Sequence, residues 1–230
     1  LLSLINLYLL KTKFTESLPL KKRGKGKTFR SSNVFYLIKP LPFKGVNLTN
    51  FSYFVFLSSF SGIEFTLTFL AVERLKYTPI DNAFMFIFIG IVLALVQGGI
   101  VQRKASKVGE KKMATWGIFS TIPGLIIIAN AFNSEMLYLG LFFLAVGSSM
   151  TIPCLTALAS LYLPAEEQGR GIGIFRSLGA LARVIGPILA SIIYWYYGTS
   201  FPYYLGALFL VIPIALILKL PKINQQLIKV

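Results

Sequence analysis

The chain has no histidine and a single cysteine, Cys154. Those two shortages remove zinc sites, disulfide frameworks, Ser-His-Asp triads and Cys-His nucleophiles, and most enzyme classes go with them. Acidic residues are scarce as well, eight Asp and Glu against 23 Lys and Arg, for a net charge of +15. So few carboxylates leave no pair set for acid–base chemistry in a common membrane cavity, and no metal or cofactor is expected. What the chain does have is apolar mass. Of its 230 residues 55% are hydrophobic, and a mean hydropathy of +0.71 exceeds what a water-facing surface carries. A lipid bilayer is the expected solvent.

A helix needs roughly 20 apolar residues to cross the ~30 Å hydrocarbon core. Six windows of that order stand between charged stretches, at residues 48–72, 83–101, 113–132, 136–163, 171–197 and 203–218. Basic connectors stay on the cytoplasmic side, and most of the 23 basic residues fall on one side of this pattern. They precede the first window, follow the second (Arg103, Lys104, Lys107, Lys111, Lys112), or lie at Arg170 and in the tail (Lys219, Lys222, Lys229), whereas Arg74 and Lys76 stand alone opposite. Both ends are therefore expected to be cytoplasmic. This distribution reads as topology rather than as a phosphate-binding footprint, so no nucleic-acid partner is expected.

LLSLINLYLL (1–10) is apolar but only ~15 Å long as a helix, too short to span. Basic residues follow it instead of preceding it and no methionine opens it, unlike a secretory signal; the expectation is the end of a preceding transmembrane helix. Residues 11–47 then form a basic cytoplasmic linker with Pro19, Pro40 and Pro42, residues 48–220 a six-helix bundle, and residues 221–230 a cytoplasmic tail. The run KKRGKGK (21–27) matches anionic-lipid and nuclear-address patterns, but topology-setting charge is the plainer reading.

Several local patterns carry a resemblance. FTESLP (14–19) followed by Lys21 to Arg23 resembles the ending that follows the sixth helix in the major facilitator superfamily. GGIVQRKASKVGEKK (98–112) resembles that family's loop after the second or eighth helix: Gly99, Arg103, Gly109, Lys111 and Lys112 are kept, and the acidic residue before Arg103 is missing. GRGIGIFRSLGALARVIGP (169–187), with FTLTFL (65–70) and QGG (97–99), is similar to the tetracycline-transporter-like, organic-anion branch. The resemblance implies an all-α membrane fold, the C-terminal six-helix half of a twelve-helix transporter. A missing N-terminal six-helix half and a small organic solute are the implied partners.

Within the spans, Gly90, Ala94 and Gly98 share one helical face, and Gly179, Ala182 and Gly186 form a second narrow strip. Each strip either slides against the missing half or packs within this bundle. Pro123, Pro153, Pro187 and Pro213 each remove one helical hydrogen bond. At Pro153, neighbouring Ser148, Ser149, Thr151 and Thr156 are expected to satisfy the freed carbonyl or to face solute.

Ionisable residues inside spans are costly, so function is their default reading. Glu64, expected near the outer end of the first span, is either a proton-coupling carboxylate or a wetted residue of the outward mouth. Arg183, near mid-depth of the fifth span, either attracts an anionic substrate, pairs with a carboxylate of the other half, or bonds structurally. Arg176, two turns earlier, snorkels or ties down helix-end carbonyls. If the first and fourth spans line a cavity, as the family plan implies, Thr66, Thr68, Ser149, Thr151 and Thr156 join Glu64 as polar candidates. The expected function is secondary active transport of small organic solutes, organic anions or drug-like molecules among them, with proton coupling an open possibility. The alternative is a non-transporting scaffold or assembly protein on the same fold.

Overall fold

The computed structural model describes residues 2–13 and 41–221. Of the predicted linker, residues 11–13 belong to a helix that begins in the apolar opening and residues 44–47 to the first spanning helix, while residues 14–40 with the FTESLP and KKRGKGK motifs, and the predicted tail from Lys222 on, lie outside the described residues. The chain divides into two compact units, Leu1–Tyr36 and Leu37–Val230. In the first, the apolar opening forms helix α1 (Leu2–Lys13).

The second unit is helical throughout its described residues, and six of its helices are long and apolar enough to cross a membrane. Helix α2 (Lys44–Leu75) forms the first span. The second comprises α3 (Pro79–Val96), one π-helical turn (Gln97–Val101) and α4 (Gln102–Val108). Helices α5 (Glu110–Ala129), α6 (Ser134–Leu161) and α7 (Gln168–Tyr197) are the third to fifth. The sixth is split into α8 (Phe201–Phe209) and α9 (Val211–Leu218).

Each spanning helix starts ahead of its apolar window, and at several of these starts polar side chains fix the boundary. The Asn47 side chain clasps both backbone groups of Leu41, at 2.9 and 2.6 Å, just ahead of α2. Thr78 and Asp81 form a reciprocal capping box with Pro79 in the first turn, which starts α3 four residues before its window. Asn133 caps α6 through Met136 N–H. The α4–α5 corner turns on Gly109 at φ 94°, a conformation any side chain would strain. That gives the glycine of the loop motif a geometric reason.

Packing rests on glycine. Helices α5 and α6 form the most extensive pair, and their glycines meet backbone to backbone: a Cβ on Gly124 would stand 2.8 Å from Gly140 O, and one on Gly117 2.7 Å from Gly147 O. Such close approach is how helices adhere where lipid competes for every apolar surface. Helices α2 and α7 form the next pair. Their contacts advance together, from Tyr53 on Phe175 through Ser61 on Ala182 O to Glu73 on Tyr194, so the two run parallel.

The bundle is fastened at both ends. At one, Arg74 donates to Ala129 O at 2.7 Å, to Thr199 and to Ser200, while Tyr204 reaches Asn130. At the other, Lys111 Nζ donates to the carbonyls of Leu218 and Leu220, both at 3.0 Å, and Tyr162 OH to Pro221 O at 2.7 Å. Burial pushes the Tyr162 hydroxyl above its ordinary pKa, so it stays a donor.

Burial is uneven. The hydrophobic windows of the first, third and fourth spans are 50%, 50% and 56% buried, those of the second and fifth only 22%. Helices α3 and α7 are thus edge helices with broad apolar faces, bearing Phe84, Ile87, Ile91 and Leu95 on one and Val184, Ile188 and Ile192 on the other.

Candidate functional site

The two small-residue strips have separate fates. Gly90 and Gly98 face open space, as does Gly99, and Ala94 is exposed, so this strip packs against nothing in the bundle. The strip on α7 is consumed internally. A Cβ on Gly179 would stand 2.8 Å from the Tyr53 ring, Ala182 is fully buried, and Gly186 faces Ser58 and Gly62 of α2. Its period is visible in sequence, but which neighbour it meets is not.

The polar candidates also divide. Thr66 is 1% exposed and donates to Gly62 O at 3.1 Å, within reach of Tyr203 OH at 3.4 Å, so it belongs to the α2–α8 seam. Thr151 is fully buried against Gly117 of α5. Ser149 is buried and Thr156 half-buried, and each donates to its own helix, at Val146 O and Ile152 O. None of these hydroxyls bonds Ser149 O, the carbonyl that Pro153 frees, contrary to expectation; hydroxyls back-bonding one turn earlier satisfy themselves first. Thr68 is half-buried. Among the described residues, four of these five hydroxyls are spent within their own helices.

A different group is assembled. Arg176 and Arg183 emerge from the open face of α7 and, with Tyr53, Gly179 and Ala180, line a depression of about 250 Å³. Tyr53 is held by stacking on Phe175, ring centroids 4.0 Å apart and planes 17° from parallel. Neither arginine closes a hydrogen bond or ion pair among the described residues. Arg176 is exposed and does not tie down helix-end carbonyls, which corrects that expectation. Arg183 lies within Coulomb reach of Glu64 and Tyr53, and Arg176 within reach of Tyr53. Pro187 follows Arg183 by one turn inside an unbroken α7, where its missing N–H leaves the Arg183 carbonyl without its usual donor.

Glu64 is exposed on α2. Because that span begins at Gly45 and runs to Leu75, Glu64 lies about 28 Å along a helix of about 46 Å, nearer the middle than the outer end. Tyr53 went unnoticed in sequence, one aromatic among many; it lies about three helical turns before Glu64 on the same helix. At the corner motif, Arg103 and Lys112 are exposed, while Lys111 is spent on the carbonyls that follow α9.

Six membrane-length helices with caps, glycine seams and charges on open faces describe an integral, multi-pass membrane protein. The chain belongs to the major facilitator superfamily, whose profile matches residues 103–228. It is 29% identical over 223 residues to the mouse (Mus musculus) major facilitator superfamily domain-containing protein 10, covering 89% of this chain and 49% of that one. It is 30% identical over 122 residues to the class E tetracycline resistance protein of Escherichia coli, covering 53% of this chain and 30% of that one. The crystal structure of the human organic anion transporter MFSD10 (TETRAN) superposes with a TM-score of 0.70 at 29% identity, over 75% of this chain and 40% of that one. The chain spans about half the length of the curated relatives it matches.

Proposed function

We propose that this chain is the C-terminal six-span half of a secondary active transporter that moves small organic anions by alternating access, together with an N-terminal six-span half seated against the open faces of α3 and α7. The observation that carries the reading is the pair of arginines on the open side of α7, in a span otherwise apolar enough for lipid. Charges at such depth are kept where they meet water, a counter-charge or a solute. A relative described as an organic anion transporter supports the sign of the cargo. Both ends of the chain lie on the cytoplasmic side, as the basic connectors argue.

Glu64 is the proposed coupling carboxylate, because it stands within Coulomb reach of Arg183 on the neighbouring helix. Proton occupancy of Glu64 then controls how much positive charge Arg183 offers an anion. In proteoliposomes holding both halves, Glu64→Gln is expected to abolish the acceleration of organic-anion uptake by an imposed pH gradient while leaving exchange of the same anion across the membrane within about threefold of the unsubstituted protein. Uptake of no anion by the intact protein, or pH-driven uptake unchanged in Glu64→Gln, overturns the transport reading or the coupling role respectively.

A further inference from the structure

Resting on the transport reading above, we propose that the Tyr53–Arg176–Arg183 depression is a head-group seat for a three-oxygen dianion, a phosphate monoester or phosphonate carried on an apolar body, rather than a general carboxylate site. The two guanidinium groups stand seven residues apart on one face of α7, about 10 Å along the axis, yet line the same depression of about 250 Å³. Neither is spent on a hydrogen bond or ion pair among the described residues. Between them the floor is only Gly179 and Ala180, so no side chain blocks a ligand from spanning both.

Each guanidinium offers a planar fork that takes two oxygens side by side. Two forks and a phenol hydroxyl together present more donors than the two oxygens of a single carboxylate accommodate, whereas a three-oxygen head group receives all three. Charge runs the same way: two cations flank the seat, and Glu64 stands within Coulomb reach of Arg183 alone. Tyr53 completes the seat. Its ring is fixed by the Phe175 stack, and the Gly179 backbone lies so close that an added Cβ would stand 3.0 Å from its hydroxyl oxygen. Beyond the seat, Val184 and Ile188 continue the open face as an apolar surface for the rest of the molecule.

The test uses the complete transporter, both halves, with three probes sharing one ring system: 1-naphthoate, 1-naphthalenesulfonate and 1-naphthyl phosphate. Apparent affinity is read from thermal stabilisation and from inhibition of exchange. The phosphate is expected to bind at least about tenfold more tightly than the carboxylate, the ratio one charge-assisted fork contributes, with the sulfonate between them. Arg176→Lys and Arg183→Lys keep the charge and lose the fork, and each is expected to bring that ratio down to about two or less. Tyr53→Phe keeps the stack and is expected to lower the ratio about threefold, which serves if a lysine variant does not fold. Equal binding of the three probes, or a ratio that survives both lysine variants, overturns the seat while leaving anion transport standing. Failure of all three probes to bind or to be exchanged overturns the transport reading and the seat with it.

Discussion

At the scale of single residues, the charges divide by what they touch. Arg74 is fully engaged: it bridges the end of α2 to Ala129 O and to Thr199 and Ser200 of the α7–α8 connection. Replacing it by alanine removes the donor shared by Ala129 O, Thr199 and Ser200, leaving only the Ser200 hydroxyl on the Ala129 carbonyl. Arg74→Ala is expected to cost about 2–3 kcal/mol, read as a drop of several degrees in melting temperature in detergent, with Arg74→Lys recovering part of the loss. Arg183 and Arg176, by contrast, spend nothing within the bundle. Sequence identified them because a cation in an apolar run is conspicuous, and it identified Glu64 for the same reason. Tyr53 was illegible because aromatics make up 14% of the chain and nothing in the local pattern separates one packed beside arginine from one packed in lipid. The buried hydroxyls misled for a related cause. A serine or threonine in a span reads as polar lining, yet the carbonyl three or four residues back is a ready acceptor, and Thr151 and Thr66 take that route inside helix seams.

At the scale of helices, existence was fully readable and partnership was not. Six hydrophobic windows became six spans, each starting ahead of its window, with Thr78 and Asp81 setting the start of α3 and Asn133 that of α6. Proline effects depended on position: Pro123, Pro153 and Pro187 lie within continuous helices. Pro213 accompanies a break, because its absent N–H falls opposite Phe209 O where α8 stops. Glycine period located faces without naming neighbours. The sequence strip on α3 is open, whereas a close seam runs through Gly117, Gly124, Gly140 and Gly147, spaced seven apart on each helix. The contrast is testable. Gly124→Val and Gly140→Val are expected to prevent recovery of a monodisperse bundle, since the added carbons meet backbone. Gly90→Val and Gly98→Val are expected to leave its melting temperature within about two degrees, because nothing stands within 4 Å of either position.

For the molecule as a whole, the sidedness of the basic connectors makes a direct prediction. In a Cys154→Ser background, cysteines placed at Lys107 and at Lys76 are expected to react with an impermeant maleimide from opposite sides of sealed vesicles, and labelling of both from one side would refute the six-span arrangement. The family assignment and the shared fold agree with six spans. The bracing at both ends shapes how such a body moves. Arg74 knots together one rim and Lys111 with Tyr162 the other, while the outward faces of α3 and α7 between them stay open. A barrel hooped top and bottom does not shear stave by stave; torque applied along an unhooped flank turns it entire.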